Sequence, residues 1–433
     1  MQTAWLRSAT ILGALALSAC SGDKSRARES AGAPEGGVAP PAAAPQAGAP
    51  EDTARGSAGP KQASPFRVAT YNGGLAMGVL KYVDERAEPL IRALAEQPVD
   101  LLCVQEFWLE EHWQQLVSAT SSALPNTFRL PAGHEDGGCT QQETDPLVAC
   151  AAESCAGLTQ HALLPCLLQS CSARLTSLSP DCFNCLSANP RQGPDELARA
   201  CLRARPNSAA GARPPARAGG ATAVEAYAGA SGTAILTNAE ILERDALVLP
   251  SAIDRRAVLY ARISPPSLGE LHVFCTHLTA SLEGVPHPRN TAWQKDQSAQ
   301  IDALLDYIDR KTGGRGATAL LGDLNTGPAK APSISARLPA HYDRLLARGF
   351  VNPYASQEDA KCTYCFDNPL DGGKGTRGLL IDHVLLRGFE GDAHGAQIMR
   401  SSLTIEAGKK KKKVKSGFSD HYGLLVTLSR RDT

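Results

Sequence analysis

"GDLNTGP" runs from Gly322 to Pro328 and follows the apolar stretch "ATALL", Ala317 to Leu321. The pattern reads as a buried strand that stops abruptly on a carboxylate, an amide and a turn. Alternate residues of a strand point the same way, so Asp323 and Asn325 are expected to face one spot. A carboxylate and an amide oxygen side by side suit a hard cation or a metal-bound phosphate. The reading then depends on whether other segments deliver similar groups to the same place.

Five more segments do. "FRVATYNGG" (Phe66–Gly74) alternates as a strand and ends on Asn72, and "VDLLCVQEFW" (Val99–Trp108) is an apolar strand running into Glu106. "LHVFCTHLTA" (Leu271–Ala280) runs into His277, and "LLIDHVLLR" (Leu379–Arg387) embeds Asp382. "FSDHYGLLVTL" (Phe418–Leu428) sets Asp420 and His421 ahead of a closing strand. Singly, each polar residue is more simply a turn former, a helix cap or a solvated side chain. Six strands each presenting a metal, phosphate or proton-transfer ligand are a site. "GTAILTNAEI" (Gly232–Ile241) and "RRAVLYARI" (Arg255–Ile263) read as a hairpin pair, and "NTAWQKDQSAQIDALLDYIDR" (Asn290–Arg310) has the apolar spacing of a helix.

The N-terminal stretch "MQTAWLRSATILGALALSACSG" has one arginine, a short apolar run and small residues around Cys20. It reads as a signal peptide over 1–20, too short to span a bilayer as a mature helix. "LSAC" (Leu17–Cys20) resembles a bacterial lipobox, which would make Cys20 a lipid anchor; ordinary secretory cleavage is the alternative. Acyl chains contribute about 0.8 kcal/mol per buried CH₂. Ser21 after the cysteine favours an outer-membrane or cell-surface lipoprotein. Residues 21–64, rich in Pro, Ala and Gly, lack the apolar surface to fold and read as an extended tether. The chain carries 44 basic and 44 acidic residues, so nothing global advertises a polyanionic partner.

The ordered set "TYN", "QE", "THL", "GDLN", "IDHVLL" and "SDH" resembles the endonuclease/exonuclease/phosphatase superfamily, whose members share the deoxyribonuclease I fold. The resemblance covers residues 65–433. It implies an α/β fold, a four-layer α/β/β/α sandwich of two packed mixed sheets. "THLTAS", "QEFW", "FSDHYG" and "CTYCFDNPL" look most like the neutral sphingomyelinase branch. The implied activity is metal-dependent hydrolysis of a phosphodiester by a monomer, with sphingomyelinase-like cleavage favoured. A surface endonuclease acting on DNA or RNA is the first alternative, and an inactive binding protein using the same cleft is the second.

Residue types then suggest roles. Glu106 and Asn72 offer oxygen ligands suited to Mg²⁺, with Mn²⁺ also acceptable, and Asp420 would reach the metal through water. Asp323 and Asn325 would hold a second metal or orient water and phosphate. His421 is the candidate general base, Asp382 would fix its tautomer, and His277 would donate to a phosphate oxygen. "GKKKKKVKSG" (Gly408–Gly417) is a lysine patch expected near the site edge, serving an anionic lipid surface or a nucleic acid, or merely capping a solvated hairpin.

A cysteine-rich, helical insert over 134–218 interrupts the family pattern. Cys150, Cys166 and Cys182 recur at a step of sixteen, and Cys155 and Cys171 share that step. With Cys139, Cys185 and Cys201 they make eight cysteines, expected to form about four disulfides whose pairing is open. A zinc cluster, with His134 and His161 nearby, is the rival. Cys362 and Cys365 are expected to form a local disulfide, with a metal site as the rival, and Cys103 and Cys275 to be buried free thiols that could pair only if their strands face each other.

Overall fold

The structure, a computed structural model, describes residues 64–77, 79–132, 138–158, 163–188, 201, 230–373, 375–408 and 411–430. The expected signal peptide, the Cys20 anchor, nearly all of the tether, both borders of the insert, His134, His161, Lys409 and Lys410 lie outside these residues. No described helix is long and apolar enough to cross a membrane.

Two sheets form the body. In chain order the first elements are β1 (Phe66–Asn72), α1 (Val83–Ala95), β2 (Leu101–Gln105), α2 (Glu110–Thr120) and β3 (Asn126–Arg129). The insert follows with α3 (Gln141–Ser154), α4 (Leu163–Ser170), α5 (Ser172–Leu175) and α6 (Pro180–Ala188). Then come β4 (Ala234–Thr237), β5 (Glu240–Val248), β6 (Ala257–Ser264), β7 (Leu271–His277), α7 (Trp293–Thr312) and β8 (Thr318–Asp323). The chain closes with β9 (Ile334–Ser335), α8 (Pro339–Ala347), β10 (Tyr364–Cys365), β11 (Gly378–Leu379), β12 (Asp382–Arg387), β13 (Gly391–Ile398), β14 (Ser402–Ala407), β15 (Lys412–Gly417) and β16 (Gly423–Arg430). The first sheet has the order β13-β16-β1-β2-β4-β3 and the second β12-β8-β7-β6-β5. Both are mixed: β1 and β2 run parallel, as do β7 and β8, and their other neighbours are antiparallel.

Strand alternation explains the layers. Phe66 and Val68 of β1 and Leu101 of β2 enter a core shared with Leu259, Val273, Leu321 and Val384 of the second sheet. Their alternates, Ala69, Tyr71, Leu102 and Val104, pack outward on Leu90, Ile91 and Leu94 of α1 and on Trp113 and Leu116 of α2. On the far side, Tyr260, Phe274, Leu320 and Leu385 meet Ile301, Leu304, Leu305 and Ile308 of α7, and Leu345 of α8. Both sheets are thus buried on both faces, as their near-continuous apolar runs require, and the fold is an α/β/β/α sandwich.

Two readings of the sequence need correction. "AILT" is not part of a hairpin with "RRAVLYARI". It is β4, paired with β2 and β3 in the first sheet, and the chain crosses to the second sheet before β5 pairs with β6. Apolar alternation is the same in either sheet and does not reveal such a crossing. Cys103 and Cys275 are not free thiols: they form a disulfide. β2 and β7 belong to different sheets, and both cysteines point into the core between them.

The insert forms the four expected disulfides, Cys139–Cys182, Cys150–Cys171, Cys155–Cys166 and Cys185–Cys201, which leaves none of its eight cysteines for zinc. Two copies of the sixteen-residue repeat are cross-linked in antiparallel order, the first cysteine of one copy to the second of the other. Leu147, Leu163, Leu167 and Phe183 make a separate small core, which extends onto Ala252, Val285 and Trp293 of the body. Trp293 therefore serves the insert and not the sheet-facing stripe of α7. Cys362–Cys365 forms as expected.

Cys103 and Cys275 are 172 residues apart in sequence. Loop-closure entropy alone assigns such a link about 5 kcal/mol, and measured losses run about 2–5 kcal/mol. The double substitution Cys103→Ala, Cys275→Ala should lower the thermal midpoint by several degrees, read by differential scanning calorimetry. An unchanged midpoint would show that the link adds nothing to the packed core.

Candidate active site

The site lies where both sheets end. β7 and β8 pair in parallel with His277 opposite Asp323, and β12 pairs antiparallel with Asp382 opposite Asp323. Three site residues therefore stand in one row along the edge of the second sheet. From the first sheet come Asn72 at the end of β1, Glu106 just after β2, and Asp420 and His421 just before β16.

Gly322 is what lets that row form. It has φ +146°, and a Cβ there would lie 1.8 Å from the backbone oxygen of Thr276. Only glycine permits β7 and β8 to approach so closely one residue before His277 and Asp323. Asp323 and Asn325 are brought together by a turn more than by strand alternation. Asn325 has left β8, adopts φ 50°, and donates its backbone N–H to Asp323 Oδ1 at 3.0 Å. Its side-chain Nδ2 donates to the Leu278 carbonyl at 3.0 Å. Glu106 is likewise left-handed, φ 62°, which turns it from the strand toward the cleft.

Contacts across the two sheets close the site. Asn72 Nδ2 donates to Asp323 Oδ2 at 3.0 Å and to Glu106 Oε1 at 3.2 Å, while its Oδ1 accepts from Gly74 N at 3.0 Å. Asn72 thus bridges the two carboxylates with nitrogen; a half-turn of its amide would be needed to present oxygen to a cation. His421 Nδ1 lies 2.8 Å from Asp382 Oδ2, leaving Nε2 toward Asp323 Oδ2 at 3.8 Å. His277 Nε2 is 3.4 Å from that same oxygen. Asp420 Oδ1 accepts from the Ser419 hydroxyl at 3.1 Å.

Burial sets the protonation states. Burial would raise Asp323, but His277 and His421 outweigh it and hold the carboxyl well below its usual range. Burial and the nearby Arg256 push His277 down to about 4, so it is neutral. Burial likewise opposes charge on His421, yet Asp382, Asp420 and Asp323 together raise it well above the ordinary imidazole value. Glu106 is lifted to about 7 by burial and by Asp420.

Asp323, Asp382 and His421 place ligand atoms within 4.8 Å of one another. Asp382 and His421 are engaged with each other, however, so this trio reads as an acid–base unit. The better cation fit is Glu106. Its Oε2 is shut off from solvent with no hydrogen-bond partner among the described residues, and Asn72 and Asp420 lie beside it. With the Asn72 amide turned to present its oxygen, these residues would form an all-oxygen set of the kind that suits Mg²⁺ or Mn²⁺.

Supporting residues come from "CTYCFDNPL" (Cys362–Leu370), whose wording the sequence singled out without assigning roles, and from Arg86, which carried no sequence signal. The Thr363 hydroxyl accepts from the N–H groups of Ile381 and Asp382 at 3.2 and 3.1 Å, and the Tyr364 ring centre lies 5.2 Å from that of His421. Asn368 donates to the Ser419 carbonyl at 2.9 Å. The fully buried Arg86 of α1 donates to the carbonyls of Lys81, Gly74 and Phe418, fastening the turn after Asn72 to the segment before Asp420. The described lysines lie toward the tip of a hairpin. Lys411, Lys412, Lys413 and Lys415 are exposed at or near the tip of the β14–β15 hairpin, and β15 spans about 16 Å before the chain reaches Ser419.

Glu106 makes the metal-free protein pH-sensitive. Its folded-state value lies above that of the unfolded chain, so the folded state keeps a proton that the unfolded state loses. That stabilisation is complete below about pH 4.5 and is lost as pH rises through about 7. In chelator, Glu106→Gln should melt above wild type at pH 8 and converge with it near pH 4.5. A constant offset across that range would remove Glu106 as the cause. Separately, Gly322→Ala should cost more than about 4 kcal/mol or prevent folding, because the clash is with backbone; denaturant titration is the check.

The described geometry can be set beside known proteins. The model of the endonuclease/exonuclease/phosphatase family matches residues 70–421. No curated protein matches by sequence. Among solved structures, SmcL is 11% identical, with a TM-score of 0.49, covering 84% of this chain and 99% of that one. Sphingomyelinase C from Streptomyces griseocarneus is 15% identical, with a TM-score of 0.47 and coverage of 84% and 99%. TDP2 from Caenorhabditis elegans, in a truncated form, is 12% identical, with a TM-score of 0.44 and coverage of 84% and 97%. With a family match that spans every candidate residue from Asn72 to His421, the chain belongs to the endonuclease/exonuclease/phosphatase family, whose members are phosphoester hydrolases.

Proposed function

We propose that the protein is a metal-dependent phosphodiesterase that cleaves a phospholipid head group in the manner of a sphingomyelin-specific phospholipase C. The observation that carries the hydrolytic part is the His421–Asp382 pair at 2.8 Å, with the free imidazole nitrogen facing Asp323. The lipid part is supported by the wording of "THLTAS", "QEFW" and "FSDHYG". Export and tethering through Cys20 belong to the same proposal, and six disulfides among the described residues suit an oxidising compartment.

In this mechanism a water sits between His421 Nε2 and Asp323 Oδ2, whose 3.8 Å separation is too long for a direct hydrogen bond. Three carboxylates raise His421, so it works from the fraction that has released its Nε2 proton: there Nδ1–H donates to Asp382, the Nε2 lone pair takes the water's proton, and Asp382 stabilises the imidazolium that results. The water oxygen adds to phosphorus as the bond to the lipid oxygen breaks, and the departing lipid oxygen takes up a proton from solvent to leave as the alcohol. His277, neutral and buried, orients on a phosphoryl oxygen, and Asn325 closes the turn that holds Asp323 in place. A divalent cation held by Glu106, with Asp420 and Asn72 beside it, would supply charge neutralisation for the phosphate and the leaving oxygen.

The test is phosphocholine release from sphingomyelin micelles with Mg²⁺, using residues 64–433 exported to preserve the disulfides. His421→Ala should lose about 10²–10⁴-fold in turnover. Retention of more than about a tenth of the rate would remove His421 as the base. Release from wild type that Glu106→Gln abolishes, together with its Mg²⁺-induced thermal shift, is expected. A folded, Mg²⁺-binding protein that nicks plasmid DNA and spares sphingomyelin would make it a nuclease.

A further inference from the structure

Two arginines are buried beside the site, and they differ in one respect. Arg86 spends its donors on three backbone carbonyls. Arg256 is 6% exposed, and its Nε and Nη1 are buried with no hydrogen-bond partner among the described residues. Its remaining polar contact is Nη2 to Asp254 Oδ2 at 3.6 Å, too long for a hydrogen bond. A buried guanidinium with donors unspent is expensive, so the position needs a reason.

The topology supplies one. β6 begins at Ala257 and β7 ends at His277, each one residue past the Val258–Thr276 pair. Arg256 thus enters the second sheet at the same edge as His277, Asp323 and Asp382. Its guanidinium lies 5.7 Å from the Trp108 ring centre, and the Trp108 and His277 rings are 6.5 Å apart. Its charge reaches His277 and Glu106. Arg256 therefore stands on the opposite side of His277 from the His421–Asp382 pair.

We propose that Arg256 is a substrate-phosphate ligand, its Nε and Nη1 donating to the non-bridging oxygens of the phosphoester that His277 also contacts. This rests on the phosphoesterase reading above. The planar fork of guanidinium matches two phosphate oxygens, and negative charge that builds on those oxygens during attack would meet donors already in position. Trp108 beneath the guanidinium holds its plane and excludes water, which strengthens the contact. The ligand class is any phosphomonoester or phosphodiester small enough to reach the edge of β6 and β7.

The experiment uses bis(p-nitrophenyl) phosphate as substrate and inorganic phosphate as competitive inhibitor, with wild type, Arg256→Gln and Arg256→Lys. Arg256→Gln should lose about 10²–10³-fold in kcat/KM, the range for removing one preorganised donor. Phosphate inhibition should weaken at least about tenfold, while Mg²⁺ affinity by calorimetry does not fall, since loss of the Arg256 charge near Glu106 can only favour a cation there. Arg256→Lys restores the charge but not the fork and should remain well below wild type. A folded variant with unchanged phosphate inhibition would overturn the assignment, as would full rescue by lysine, which marks a mere counter-charge. If Arg256→Gln does not fold, Arg256→Lys decides; if neither folds, the residue is structural and the assignment falls. Wild type that neither hydrolyses the substrate nor binds phosphate would instead bring down the phosphoesterase reading itself.

Discussion

The hydrogen-bond register across β7, β8 and β12 fixes His277, Asp323 and Asp382 side by side, and the rest of the site is arranged around that row. Register in a doubly buried sheet is stringent, because a slip of one residue would send each apolar face the wrong way. Leu320 and Leu385 face the outer helices while Leu321 and Val384 face the other sheet. The same alternation that fills two cores therefore sets the spacing of the polar tips. Chemistry at the edge inherits its precision from packing in the interior.

Much of this was legible in the sequence because strand tips announce themselves. An apolar run that stops on Asp, Asn, Glu or His is a local signal, and six such stops in one order carry the family resemblance. The residues that support them gave no such signal. Arg86 sits in a helix among Glu85, Ala87 and Glu88 and looks like any solvent-facing arginine, and Arg256 follows another arginine. Their burial follows from how elements far apart in sequence pack, which no local pattern records. The Cys103–Cys275 link was missed for the same reason, since pairing needed the knowledge that two strands of different sheets face each other. The lysine run was visible as composition, but its closeness in sequence to Asp420 does not by itself give its place, since most of a strand lies between them.

The insert follows different rules. Three of its four described helices are short, with 8, 4 and 9 residues, and helices of that length do not hold themselves in water. Four cross-links and a small core replace the long-range packing that stabilises the sandwich. Glu143 adds a capping box with Thr140 and a further hydrogen bond to Ser179 N at 2.7 Å, tying the start of α3 to the approach to α6. The repeat of sixteen residues sets which cysteines meet, because two copies folded against each other bring unlike positions together.

The site is divided between the sheets. Asn72, Glu106, Asp420 and His421 ride on one, and His277, Asp323 and Asp382 on the other, with Asn72–Asp323 and His421–Asp382 spanning the seam. Neither half holds a complete set of groups. Any partly folded species in which one sheet has formed before the other docks is therefore chemically inert, and so is a fragment carrying either sheet alone. The complete set of groups exists only when the two sheets are docked, so turnover would report that docking.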